Sequence, residues 1–189
     1  MDQPQRPLIE ELAILGGKKA FQKQFTELWK RPKEEEKRAV NRLIDTDELS
    51  GEGFGIGKEF EEAFKQLIKA HYVLSFSHGT AAIMAGYYAL GVGPGDEVIT
   101  PAVGYIASYA GALHMGARPI FADIGAHDLL IDPQEIKKKI TAKTKAINII
   151  HLNGRICNME EIRDISLQCG IPLLEDASHA LGGTWQQKP

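Results

Sequence analysis

From Tyr72 onward, short apolar runs alternate with helical segments, and that alternation leaves few folds open. The runs are "YVLSFS" (72–77), "EVITP" (97–101), "RPIFADI" (118–124), "KAINIIHL" (145–152) and "IPLLEDA" (171–177). Between them lie "GTAAIMAGYYALG", "YIASYAGALHMG", "PQEIKKKI" and "MEEIRDISLQCG". Most of the runs are rich in Val and Ile and apolar throughout, the pattern of strands covered on both faces. The helix starts carry caps: Asp132 precedes Pro133 with Glu135 at the third position, and Asn158 stands in the same relation to Glu161. "GVGPGDEV" and "QCGIP" supply glycine stops with proline close behind. Strand–helix units joined by short links imply right-handed crossovers, hence an α/β fold with a mainly parallel sheet flanked by helices.

The stretch before this pattern is different. As far as about Leu49 the chain is polar and helix-prone, and its charge run "KRPKEEEKR" reads as a solvated helix face. "SGEGFGIGKEF" follows, with Gly51, Gly53, Gly55 and Gly57 reading as a connector into a helix that begins near Lys58. It is not a phosphate-binding P-loop, because Glu52 stands where the first glycine belongs and Glu59 where Ser or Thr belongs. The expected division is therefore a helical segment and connector over 1–57 and a partial α/β domain over 58–189. At 189 residues the chain can bury one good core. A net charge of −3 argues against nucleic acid or an anionic membrane as partner. No segment approaches the roughly 20 apolar residues of a spanning helix, and the start shows no basic region followed by an apolar stretch. Cys157 and Cys169 form no CxxC pair, which suits a reduced, cytoplasmic protein.

In an open parallel sheet, ligands bind beyond the carboxyl ends of the strands. The first run ends in "SHGTAA", where Gly79 lets backbone amides approach a ligand and Thr80 adds a hydroxyl at a helix start. Such an end suits a phosphate, although an N-cap with a tight turn is the plain alternative. Tyr105, just past the second run, could stack on a flat ligand or simply pack in the core. Asp176 at the tip of the last run is costly to bury without a cationic partner, which could be an Arg, a metal, a helix N-terminus or a protonated heterocycle. His179 could contact a ligand or serve as a structural donor. Together these features suit a flat, phosphorylated, nitrogen-containing cofactor, and pyridoxal phosphate has all three properties. An acid beside its ring nitrogen keeps that nitrogen protonated, so that the ring draws electrons from a substrate carbanion.

The stretches "LAILGGKKAF", "GIGKEFEEAF", "SHGTAAI", "GVGPGDEVITPAVGYIAS", "GARPIFADI", "TKAINIIHLNGR" and "LLEDASHALGG" together resemble the DegT/DnrJ/StrS family of pyridoxal-phosphate sugar aminotransferases. The resemblance implies the large domain of a fold-type I transferase, working as a homodimer with active sites at its interface. It assigns Gly79 and Thr80 to the cofactor phosphate and Tyr105 to a face of the pyridine ring. Asp176 is assigned to the pyridine nitrogen and His179 to a place beside it near the ring hydroxyl. Gly104 departs from the hydroxyl residue that the family often has, and Ile156 from the usual proline after "GR".

The resemblance further implies amino-group transfer from an amino acid, typically glutamate, to a keto-sugar nucleotide. It places the Schiff-base lysine and a small C-terminal domain beyond the "ED" strand. Lys188 falls too early, in what resembles a surface hairpin. The expectation is thus an N-terminal part, truncated and inactive by itself, with no catalytic residue of its own and no metal. Two alternatives stay open: a non-catalytic ligand-binding regulator on the same fold, and a sugar dehydratase in which a histidine replaces that lysine.

Overall fold

The computed structural model describes residues 12–19, 30–48 and 54–189. The chain divides into two compact units, Met1–Gly51 and Glu52–Pro189. In the first, Pro32 leads into α1 (Lys33–Asp45), whose opening turn carries Glu34, Glu35 and Glu36. Acids there face the positive end of the helix dipole. Arg31 pairs with Glu36 at 2.7 Å and Lys37 with Glu34 at 2.9 Å, all exposed. No residue of α1 is buried, so the charge run is the solvated face expected of it. Gly51 and Gly53 of the glycine stretch lie outside the described residues. Gly55 and Gly57 do not form a loop; they open helix α2 (Gly55–Ile68) three residues earlier than expected.

The second unit then runs α3 (Gly79–Ala89), β1 (Glu97–Pro101), α4 (Ala107–His114), β2 (Arg118–Ala122), α5 (Pro133–Lys139), β3 (Thr144–Ile150), α6 (Met159–Cys169) and β4 (Leu173–Asp176). The strands form one parallel sheet in the order β2-β1-β3-β4. The chain therefore winds outward from β1 to β2, returns across to β3, and continues the other way to β4. The direction reverses between β1 and β3, and a crevice opens there at the carboxyl ends. Every residue of β1 is buried, as are the last five of β3, which is why these runs read as apolar throughout. The expected caps form: Asp132 accepts from the Gln134 amide at 2.8 Å, and Asn158 from the Glu161 amide at 3.4 Å.

Alternate residues of each strand serve different faces. Ile99, Ile147 and Ile149 pack with Ile136 of α5 and with Met159, Ile162 and Ile165 of α6. Val98 and Ala146 pack on the other side with Ile83 and Tyr87 of α3 and Ala112 of α4, with Leu174 beside them. Because the later part of α3 rests on the early residues of the strands, the helix runs antiparallel to them. Its first residue lies about 10 Å from Gly86, toward the carboxyl edge.

One expected strand is absent. Residues 72–77 pair with no strand, and Tyr72 and Leu74 are 93% and 70% exposed. Apolar and aromatic composition makes a strand possible, but only hydrogen bonding to a neighbouring strand makes one. Neither outer strand of the sheet, β2 or β4, pairs with this segment. The segment is tethered instead by α2: the Ser75 amide and hydroxyl both donate to Glu61 at 2.8 Å. Those bonds hold the Glu61 carboxyl below the usual carboxylate range.

Helices α3 and α4 meet at Gly111, where an added Cβ would come within 2.9 Å of the Tyr87 ring and 3.1 Å of Met84. The Tyr87 ring is fully buried and cannot yield easily. Gly111→Ala is expected to cost about 1–3 kcal/mol by overpacking, read from urea melts of the variant against the parent chain.

Candidate functional site

Toward the carboxyl edge, the α3/α4 face of the sheet turns polar in three strands. On the α3/α4 side, each of three strands changes from apolar to polar toward its end: Val98 to Thr100, Ala146 to Asn148, Leu174 to Asp176. Thr100, Asn148 and Asp176 are all buried. On the opposite side the corresponding positions stay aliphatic until Glu175. This face-specific change is hidden in the linear sequence, where each polar residue sits inside an otherwise hydrophobic run.

Asp176 is 8% exposed, and both of its oxygens are occupied. The Ser108 hydroxyl donates to Oδ2 at 2.6 Å, while the Ser178 hydroxyl and amide donate to Oδ1 at 2.6 Å and 3.1 Å. Burial opposes the charge, but these donors, with His179 nearby, outweigh it and hold the carboxyl below the ordinary aspartate range. The site is thus built to keep an anion at the strand tip. Ser108 was not anticipated from the sequence, where it is an unremarkable polar residue in an apolar helix.

The turn before α3 is capped by His78, whose Nδ1 accepts from the Ala81 amide at 3.1 Å. Ala82 donates to the His78 carbonyl at 3.2 Å. The Gly79 and Thr80 amides are left without a hydrogen-bond partner among the described residues. A Cβ at Gly79 would meet nothing within 4 Å. The N-cap thus forms on the Ala81 amide, and the two amides before it stay open, as at other helix starts.

Tyr105 is 70% exposed in the loop after β1, so its ring is not core packing. Its carbonyl accepts from the Ser108 amide at 3.0 Å, which starts the turn into α4. Helix α4 itself begins at Ala107, two residues after the expected start. Gly104 beside it faces the Ile150 side chain so closely that a Cβ would collide with Cδ1. The departure from a hydroxyl residue at that position thus goes with the isoleucine that fills the space. His179 is exposed, and its Nδ1 accepts from the Asn153 amide in the loop after β3 at 3.3 Å. In the neutral ring that bond leaves the proton on Nε2.

On the other side of the strand tip, Glu175 meets the buried His151 at 3.1 Å through Nε2, while His151 Nδ1 accepts from the Cys157 amide at 3.2 Å. Burial first, then the charges of Glu175 and Asp128, push the Cys157 thiol up to about 12, so it behaves as an inert core group. Adjacent residues of a strand point to opposite faces, so "ED" is one carboxylate for each side of the sheet. A cavity of about 770 Å³ lies on the Glu175 side, lined by Phe64, Leu67, Leu167 and Leu181 among others. Of the residues assigned or found around Asp176, only Ser178 borders it. Lys188 closes a turn with Trp185, with Gln186 and Gln187 both at positive φ, as a two-residue hairpin turn requires.

The arrangement offers an anion cradle, an exposed aromatic ring and a buried carboxylate at one sheet edge. That donor set fits a flat phosphorylated ring with a basic nitrogen. Because the Asp176 carboxyl titrates lower folded than unfolded, its stabilisation is fully present above the unfolded value near about 3.9. It is lost as the pH falls through the folded value. Asp176→Asn is expected to flatten the acid-side loss of stability, measured by urea melts at neutral and acid pH.

The sequence pattern of the DegT/DnrJ/EryC1/StrS aminotransferase family matches residues 30–189. GDP-perosamine synthase of Vibrio cholerae is 35% identical over 147 residues, which cover 78% of this chain and 40% of that protein. The crystal structure of 3-amino-5-hydroxybenzoic acid synthase superposes with a TM-score of 0.79 at 32% identity, covering 85% of this chain and 42% of that one. NtdA of Bacillus subtilis, solved with bound cofactor PMP, gives 0.71 at 35% identity, over 79% of this chain and 34% of that one. The chain spans less than half the length of the curated relatives it matches.

Proposed function

The chain belongs to the DegT/DnrJ/EryC1/StrS aminotransferase family, and from that premise we propose that it supplies the ring- and phosphate-holding residues of a pyridoxal-phosphate sugar aminotransferase. The reaction is transfer of an amino group from an amino acid, glutamate in the first instance, to a keto-sugar nucleotide. The observation that supports this most is Asp176: a buried carboxylate with both oxygens filled by donors, on the sheet edge toward which the free Gly79 and Thr80 amides point. A protein that merely packed this strand would place an aliphatic residue there.

Bound in this site, pyridoxal phosphate supplies an electron sink for a carbanion formed next to the transferred nitrogen. The chain's own residues have separate tasks. Asp176 accepts the proton-bearing ring nitrogen and keeps the proton there, because its own carboxyl stays ionised. The Gly79 and Thr80 amides and the Thr80 hydroxyl hold the phosphate at the helix end, where the dipole favours an anion. Tyr105 covers one ring face and excludes water from it. His179, fixed by Asn153, stands beside the ring with Nε2–H free to donate.

The protein works as a homodimer in this reading. Tyr88, Ile106, Leu113 and Phe121 leave apolar surface open around α3, α4 and β2, with exposures of 78%, 57%, 57% and 47%. A second copy of the chain would cover it. Sedimentation should report a dimer, and Ile106→Glu with Leu113→Glu should shift it to monomer; a parent chain that is monomeric at all concentrations removes this part. Thr80→Ala should weaken pyridoxal phosphate binding by about tenfold, the effect of one hydrogen bond to a charged group. Absorbance titration checks this, and unchanged affinity would take Thr80 out of the phosphate cradle.

A further inference from the structure

The hydrogen bond to Asp176 Oδ2 comes from a residue that is itself held by two others. Ser108 is fully buried in the first turn of α4. Its carbonyl accepts from the Tyr87 hydroxyl of α3 at 2.5 Å and from Asn148 Nδ2 of β3 at 2.8 Å. Asn148 Nδ2 also reaches Thr100 Oγ1 of β1 at 3.3 Å. One backbone carbonyl thus ties α3, α4, β3 and, through Asn148, β1 to a single point beneath Asp176.

The network is costly. Asn148 Oδ1 is the one buried side-chain polar atom without a hydrogen-bond partner among the described residues. Leaving such an atom unpaired costs about 1–3 kcal/mol. A leucine of similar shape would pack there without that cost, so packing does not explain the amide. What the amide does is donate to Ser108 and Thr100. Tyr87, likewise fully buried, could be phenylalanine if only volume mattered; its hydroxyl goes to the same carbonyl. Both side chains act on Ser108, and Ser108 acts on Asp176.

We propose that Ser108 is the positioning residue for Asp176, fixing its carboxylate at the carboxyl edge, and that Tyr87 and Asn148 serve to hold Ser108 in place. The proposal rests on the assignment of Asp176 to the cofactor ring nitrogen. It locates control of that carboxylate in α4 and not in the strand that carries it. The turn that starts α4 also holds Tyr105 through the Ser108 amide. Ring face and ring nitrogen would therefore be registered to each other through one residue. The titratable groups facing Asp176 are Tyr87 from α3, whose hydroxyl is pushed upward by burial and then by the Asp176 charge, and His179 from the turn after β4.

The test follows the Asp176 carboxyl carbon by NMR against pH in chain labelled with ¹³C-aspartate, in Ser108→Ala, Ser108→Cys and the parent. Donor strength falls from Ser to Cys to Ala, whereas side-chain volume falls from Cys to Ser to Ala. The expected midpoint order is parent lowest, Cys intermediate and Ala highest. Both substitutions should also weaken binding of pyridoxamine 5′-phosphate, Ala by about tenfold, as expected for loss of a hydrogen bond to a charged group; this probe cannot bond covalently to a lysine. A Ser108→Ala midpoint equal to the parent's, or a Cys midpoint outside the interval between parent and Ala, would overturn the proposal. So would a shifted midpoint with unchanged binding, because Ser108 would then hold the carboxylate without serving the site. Asp176→Asn separates the two readings: if it binds the probe as well as the parent does, the cofactor assignment fails, and the positioning role with it, while the midpoint order still decides the Ser108–Asp176 contact.

Discussion

The hydrogen bond between Ser108 and Asp176 spans 68 positions of sequence, and the buried charge at the strand tip depends on it. A carboxylate under 10% exposed is stable only if its oxygens are met by donors or by a cation. Here two serine hydroxyls and an amide meet them without adding charge, so that the anion's attraction for a protonated ring is left largely uncompensated. A salt bridge to arginine would have kept Asp176 equally buried but neutralised it. The hydroxyl donors keep Asp176 charged while leaving that charge unneutralised.

Placing Ser108 there requires the fold as a whole. β1 must end next to β3 at the point where the winding reverses. α4 must start within a few residues of β1, and α3 must approach α4 closely enough for Tyr87 to reach the Ser108 carbonyl. The glycine at position 111 permits that approach. The opposite face of the sheet is an ordinary aliphatic core against α5 and α6, and it supports the sheet without shaping the site. At β4 the two faces divide: Asp176 goes to the polar edge, and Glu175 goes to His151.

Much of the architecture was legible because its signals are local. Periodicity, Asp132 and Asn158 caps and the glycine stops mark the helices and the strands β1–β4 within a few residues. The failures have a common cause. Residues 72–77 have the composition of a strand, but composition says nothing about whether the segment pairs with a neighbouring strand. The glycines at 55 and 57 look like a loop, yet they open helix α2, although none of its residues is buried. Tyr105, Asp176 and the Gly79–Thr80 turn were visible as candidates because each follows an apolar run directly. Ser108, Ser178, Tyr87 and Asn148 were not, since a buried serine or asparagine looks the same in sequence whether it bonds to a backbone or to a carboxylate.

The sequence by itself determined the class of fold, the positions of most elements and which residues stand at the carboxyl edge, because strand and helix periods and capping act over a few neighbouring residues. The three-dimensional packing decided what those residues do. It brought Ser108 to Asp176, joined Tyr87 and Asn148 to the Ser108 carbonyl, exposed Tyr105 and left residues 72–77 without a strand partner. These are relations between distant segments, set by how the helices pack on the sheet, and no local pattern specifies them.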